Sequence, residues 1–450
     1  MLLRKVTATM GALALALGMG ACSGGQTGGD SGSGDEPVTL QYWLWDDTQL
    51  PLYQQCADAF TAKNPNIKIE ITQTAWAQYW TTLTTQIASG DAPDVFTNQV
   101  SYYPQFVENQ QILDLTDRID QAGIDLTQYT EGFPERWVLD GKRYGLPKDW
   151  DAVGLLYNVE LAEAAGFTAE QMNNLTWNPE DGGTFGEFVR ATTVDINGKN
   201  ANDPEFDKNN IKSYGYYPEW ADGAVGQNGW GNFAHSNGFT YSNQEGLPTE
   251  FNYASPELVQ TAAWLQKLIA DGHAPRYDQQ SSLGTDAVMK NGNAASTIQG
   301  SWTMASYLGA DSPVKFAFAK LPTGPKGRFT ATNGLSDAIW SGTQHPDQAF
   351  EWVKFLASAE CQDTVAKGAR VFPALKSSSE IALTAFREQG YDPTPFVDMV
   401  TAGETYPVPL FNKGNELGVV IQDALAQVAD GADPQATLTK ANEDAQALYK

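Results

Sequence analysis

Between positions 39 and 97 the apolar residues follow two periods in turn. From Thr39 to Trp45, Leu40, Tyr42 and Leu44 alternate with Gln41, Trp43 and Trp45, which predicts a strand with one buried face. Tyr53, Cys56, Ala57 and Phe60 then recur at helical spacing until Asn64-Pro65 stops the helix. Ile67, Ile69 and Ile71 alternate with Lys68, Glu70 and Thr72 as a second strand. Trp76, Trp80, Leu83 and Ile87 trace one face of a second helix, closed by Ser89-Gly90, and Asp94 to Thr97 is a third strand. This β-α-β-α-β order predicts right-handed crossovers and a parallel, doubly wound α/β sheet.

A later apolar run, Ala294 to Ile298, reads as a short buried strand that stops at Gly300 and presents Trp302 on a turn. Met304, Ala305 and Leu308 then mark the apolar face of a short helix. A flat aromatic at such a turn suits a ligand floor at the edge of an α/β sheet; a core plug is the equal alternative. Gly414 to Ala429 and Gln435 to Tyr449 read as C-terminal helices. Asp195-Ile196-Asn197-Gly198-Lys199, with Asp203 and Asp207, hints at a calcium loop. Gly198 falls too early for an EF-hand, and a solvated Asn-Gly turn is the better reading.

Composition changes the picture at the N-terminus first. Met1-Leu2-Leu3-Arg4-Lys5 precedes an almost uncharged apolar run from Val6 to Ala21, which reads as a secretory signal over residues 1–21 and is too short to span a bilayer. Met19-Gly20-Ala21-Cys22 resembles a lipobox, with Met19 where Leu is usual, and the resemblance implies that Cys22 is the lipidated first residue of the mature chain; an ordinary cleavage site beside an incidental cysteine is the alternative. Residues 22–36 are then a Gly/Ser-rich tether. Removing Arg4 and Lys5 with the signal takes the formal charge from −26 to −28. Such acidity argues against nucleic-acid binding, which needs phosphate-neutralising basic stripes. About 410 residues remain beyond the tether, enough for two domains. Cys56 and Cys361 could pair in an exported protein or remain buried free thiols. His235, His273 and His345 have no ligand spacing, so no metal is expected. No G-x-G-x-x-G follows the first strand and no P-loop occurs, so no nucleotide cofactor is expected either.

The chain resembles the extracellular solute-binding proteins of bacterial ABC sugar importers, a family that includes maltose-binding protein. The pieces that carry the resemblance are the aromatic strand ending in Asp46-Asp47, Phe60 to Pro65, Gly90-Asp91-Ala92-Pro93-Asp94-Val95 and Gly145-Leu146-Pro147. Leu156-Tyr157-Asn158, Gly300-Ser301-Trp302 and Asn333 to Leu356 complete them, in family order. The resemblance implies a type II periplasmic-binding-protein-like fold: two doubly wound α/β lobes around a cleft, joined by three crossings. The crossings fall near Lys148, Pro322 to Phe329 and Arg370 to Pro373. Residues 37–147 with 330–369 then form one lobe, and residues 148–329 with 370–450 the other.

Sugars need flat aromatics for their C–H faces and polar groups for hydroxyls that lose water. The 13 tryptophans matter here, because Trp150, Trp177, Trp220, Trp230 and Trp302 sit among Gly, Asn and Asp, whereas Trp80, Trp264 and Trp352 sit in apolar helical periods and read as core. With the positions implied by the resemblance, the expected ligand set is Trp45, Asp46, Asp47, Trp76, Gln99, Asp149, Asp151, Trp220, Trp230, Trp302, Asn333 and Phe411. Interlobe ion pairing is the alternative for Asp149 and Asp151, and helix packing for Trp76. The implied function is capture of a mono- or oligosaccharide by lobe closure and delivery to permease subunits driven by an ATPase. The protein would be a lipid-anchored monomer on the outer face of the cytoplasmic membrane, and not an enzyme. A secreted glycoside hydrolase is the competing class, and it needs two carboxyls about 5 to 9.5 Å apart across the scissile bond.

Overall fold

The computed structural model describes residues 37–450 apart from 221 and 245, with the backbone alone for 281–283. The signal, Cys22 and the tether lie outside the described residues. In chain order the elements that build the site are β1 (Val38–Leu44), α1 (Leu50–Lys63), β2 (Ile67–Gln73), α2 (Trp76–Ser89) and β3 (Val95–Gln99). There follow β4 (Asp149–Asn158), α3 (Trp230–Asn237), β5 (Ser296–Gly300), β6 (Phe316–Ala319), β7 (Thr330–Ile339), α4 (Pro346–Leu356) and α5 (Ala359–Lys367). The chain ends through β8 (Phe372–Pro373), β9 (Thr405–Pro407), α6 (Gly414–Ala429) and α7 (Pro434–Leu448). Leu40, Tyr42 and Leu44 point into the core from β1, and Tyr53, Cys56, Ala57 and Phe60 from α1, as the two periods predict.

The sheet is parallel where the β-α-β rule applied, between β2, β1 and β3, and again where β9 joins the start of β7. Beyond β3 it turns antiparallel: β7 runs against β3 and β4, and β4 runs against β5 and β6. The parallel pairing expected from the first β-α-β-α-β order is present, and the antiparallel strands β4 and β7 are reached through long excursions rather than through single crossover helices. Each of these strands serves two neighbourhoods. The first half of β4 pairs with β7 and β8, and its second half with β5 and β6. The start of β7 pairs with β9 and its end with β3.

Two bodies of apolar side chains result, one per lobe. Leu40, Tyr42, Phe60, Trp352 and Leu356 pack in one, extended by Trp80, Phe96 and Phe106. Val153, Leu155, Phe185, Phe233, Trp264 and Leu425 pack in the other, extended by Phe318 and Phe396. Cys56 on α1 and Cys361 on α5 are joined in a disulfide with a Cα–Cα distance of 5.2 Å. Just before β4, Lys148 is almost fully buried. Its Nζ donates to Tyr42 Oη at 2.6 Å, Thr97 Oγ1 at 2.9 Å and Asp337 Oδ1 at 3.1 Å, and lies 4.1 Å from the centre of the Tyr53 ring.

The carboxylate-rich loop after Asp195 is held by its own backbone. Asp195 accepts from the N–H groups of Asn197, Lys199 and Asp207, at 2.8, 2.9 and 2.9 Å. These bonds, led by that from Asp207, hold its carboxyl below the usual range. Among the described residues no group of three or more His, Cys, Asp or Glu side chains converges on a cation site.

Candidate functional site

A cleft of about 290 Å³ lies between the two lobes. One wall comes from the start of α2 and the chain just after β3: Trp76, Gln99, Ser101 and Tyr102. Tyr102 stacks on Trp80 with ring centres 3.9 Å apart and planes 8° apart, while Trp76 stands edge-on to Trp45 at 5.1 Å. An aromatic shelf is thus fixed by other aromatics behind it, and Trp76 is left 45% exposed at the cleft mouth.

The opposite wall comes from the turn after Trp220 and from α6. Asp222, Gln227 and Phe411 line it, together with the α6 face carrying Gly414, Asn415, Gly418, Val419 and Gln422. That face is the polar side of an amphipathic helix whose other side buries Leu417, Ile421 and Leu425 in the lobe core. A Cβ at Gly418 would meet nothing closer than 3.9 Å, so the glycine leaves open space that belongs to the cleft.

Behind this wall is a polar layer. Gln227 Nε2 donates to Asp151 Oδ1 at 2.7 Å, and Asn333 Nδ2 donates to Gln227 Oε1 at 3.4 Å. Asn333 and Asp151 are register partners on β7 and β4. Burial pushes the Asp151 carboxyl up to about 7, against the Gln227 bond and the Arg136 guanidinium. Arg136 is itself tied to Thr332, through the carbonyl at 2.8 Å and the hydroxyl at 2.9 Å.

Three residues expected to contact a ligand, Trp76, Gln99 and Phe411, come together on the cleft walls. Asp151 and Asn333 sit one layer back, bonded to Gln227, and Trp45 packs edge-on against Trp76. The others are placed elsewhere. Asp46 accepts from Thr48 N–H and Oγ1 and from Gln49 N–H and Nε2, so its carboxylate closes the turn into α1. Asp47 is exposed beside it. Asp149 is buried with one carboxyl oxygen unpartnered, and burial pushes it up to about 8 against the pull of Lys148. The buried ion pair here is made by its neighbour Lys148 with Asp337.

The loop tryptophans are where the composition argument misleads. Trp220 and Trp230 are each 1% exposed and belong to the second lobe's core, as does Trp177. Their glycine-rich surroundings make room for the rings instead of exposing them: a Cβ at Gly226 would come within 2.5 Å of the Trp230 ring. Trp302 likewise lies against Gly300, where a Cβ would meet its ring at 2.1 Å; it is half-buried and packs against both lobe cores. Tyr102, Asp222, Gln227, Asn415 and Gly418 were not among the expected residues. The signal that could have found them is the i, i+4 glycine pair of Gly414-Asn-Glu-Leu-Gly418 on a helix's polar face, and the run Asp222-Gly-Ala-Val-Gly-Gln-Asn-Gly229.

Replacing Asp151 by alanine frees the Gln227 amide on the cleft wall. Ligand affinity is expected to fall by about 1.5 kcal/mol, the lower end for a hydrogen bond to a charged group. Calorimetric titration of the folded variant measures this, and an unchanged Kd would remove Asp151 from the site.

Comparison with known proteins gives three findings. Residues 55–386 match the family model described as bacterial extracellular solute-binding protein. The lactose-binding protein of Rhizobium radiobacter is 24% identical over 71% of this chain and 70% of its own length. The galactooligosaccharide-binding protein of Bacillus subtilis is 23% identical over 99% of this chain and 98% of its own. Among solved structures, an ABC substrate-binding protein from Listeria monocytogenes in complex with cycloalternan superposes with a TM-score of 0.78. It is 20% identical and covers 92% of this chain and 99% of that one. Maltose-bound MalE3 of T. maritima gives 0.73 at 18% identity, over 91% and 99%. These structures establish the fold as the two-lobed type II arrangement of periplasmic binding proteins.

Proposed function

Since this chain belongs to the bacterial extracellular solute-binding proteins, we propose that it captures a carbohydrate between its lobes and hands it to an ABC importer. The observation that carries this reading is the pairing of walls. An aromatic shelf on one lobe faces amides and a carboxylate on the other, which suits a ring with C–H faces and a hydroxyl edge. A sugar that touches both walls does so only when the lobes are together, so binding favours closure. The lobes divide at Lys148, between β6 and β7, and at Arg370 to Pro373. In the cell the chain is exported, lipidated at Cys22 and held on the outer face of the cytoplasmic membrane by the tether, as a monomer. Permease subunits receive the closed form.

A hydrolase is not favoured, because the relatives are binding proteins and the cleft walls carry a single carboxylate among the described residues. The test is tryptophan fluorescence titrated with lactose, maltotriose, mannotriose and N,N′-diacetylchitobiose, followed by analysis of the sugars. Saturable change with the sugar intact is the expected result, and sugar cleavage would overturn it. Gly418→Leu puts a side chain into the open cleft, its Cβ no closer than 3.9 Å to a neighbour. It should weaken the responding sugar at least about tenfold, a loss of about 1.4 kcal/mol, with no loss of thermal stability. An unaltered affinity would place the ligand elsewhere.

A further inference from the structure

The turn from Asp222 to Gly229 is built more firmly than its glycine content suggests. The Asn228 N–H donates to the Asp222 carboxylate, and the Gly226 N–H to the Asp222 carbonyl at 3.0 Å. From the core beneath, the Tyr253 hydroxyl donates to the Ala224 carbonyl at 2.9 Å, and the Tyr241 hydroxyl holds the Val225 carbonyl. Gln227 is held by Asp151. The Asp222 side chain is therefore presented to the cleft from a braced loop and needs little reorganisation to meet a ligand.

Its surroundings are one-signed. Among the described residues that line the cleft, Asp222 is the one charged side chain; the rest are aromatic, aliphatic, amide, hydroxyl or glycine. The titratable groups that bear on it are Glu219 on its own loop, Tyr102 on the opposite wall, and Tyr241 and Tyr406 from the core beneath. None of these is a cation. One Glu219 carboxyl oxygen is buried without a partner. Burial, followed by the Glu219 charge, holds the Asp222 carboxyl above the usual carboxylate range, and a cation in the cleft opposes both effects. Across the gap, Trp76 and Tyr102 offer aromatic surfaces, which also attract cations. The formal charge of −26 adds a long-range field of the same sign.

We propose that Asp222 makes this cleft selective for glycans that carry a protonated amine over uncharged or carboxylated glycans of the same size. The inference rests on the sugar-binding reading and narrows its ligand class. An ammonium between the walls makes a charge-assisted hydrogen bond to Asp222 while the aromatic shelf covers its carbon skeleton. A carboxylated sugar brings a negative charge towards two acidic groups with no cation to meet it.

Three disaccharides on one β-1,4-linked skeleton separate charge from shape: chitobiose with amines, cellobiose with hydroxyls, and cellobiouronic acid with a carboxylate. Calorimetric titration at about pH 6 should show chitobiose binding at least about tenfold more tightly than cellobiose, and cellobiouronic acid about tenfold more weakly. Asp222→Asn should bring all three to within about twofold of one another. A wild-type protein without the preference, or a variant that keeps it, overturns the proposal. Should the variant fail to fold, N,N′-diacetylchitobiose repeats the test on the wild type. Losing the amine advantage on acetylation supports the proposal, and an equal or tighter affinity overturns it. Binding of neutral sugars without charge preference removes this inference alone, whereas no binding of any sugar removes the sugar reading and this inference together.

Discussion

Lys148→Met is expected to cost about 3–5 kcal/mol of stability, the largest single-residue effect in this chain. The ammonium and the Asp337 carboxylate are only 3% and 2% exposed, and they meet at 3.1 Å. Tyr42 and Thr97 complete the shell by bonding to both partners. Removing the cation leaves a buried carboxylate with neutral donors only, and the desolvation of that charge is no longer offset. The paired replacement Lys148→Met with Asp337→Leu removes the charge with its partner and should recover at least half of the loss. Urea unfolding of the three proteins measures both effects. A single variant within about 1 kcal/mol of the wild type would show that water reaches Asp337.

Replacing Cys56 and Cys361 together by alanine is expected to lower stability by about 3–5 kcal/mol. The bridge spans a sequence separation of 305 residues, so the loop it closes runs from β2 through α4. Without it the unfolded chain gains the conformational freedom of that loop, while the folded chain keeps α1 against α5. Both positions are 1% exposed, which makes alanine the better probe, because serine would bury unpaired hydroxyls. The reduced wild type and the double variant should share one lowered denaturation midpoint. Coincidence of all three midpoints with the oxidised wild type would mean that the bridge adds nothing to folding.

Much of the first lobe was legible from local periodicity. The alternation in β1, the helical face of α1 and the Asn64-Pro65 stop are short-range patterns, and short-range geometry decides whether they form. The short strand before Gly300 and the turn bearing Trp302 were legible for the same reason, as were the C-terminal helices. The sequence order alone also separated a solute-binding architecture from nucleotide-binding folds. The cleft was only partly legible: Trp76, Gln99 and Phe411 were found, while Tyr102, Asp222, Gln227 and Gly418 were not.

The tertiary structure decided the remainder because the cleft is assembled from stretches near 76–102, 222–227 and 408–422, each far from the next along the chain. No local pattern reports which of these face one another. A tryptophan among glycines reads identically whether the glycines expose it or give way to it; at Trp230 and Trp302 they give way. A carboxylate after a strand can meet a ligand, cap a turn or sit buried, and Asp46 and Asp149 differ from Asp222 only in what folding brings beside them. By itself the sequence determined the strand and helix order and the family of the chain, because periodicity and motif order are properties of the chain. The tertiary structure alone decided which side chains share a cavity, because burial and charge environment depend on neighbours that only folding supplies.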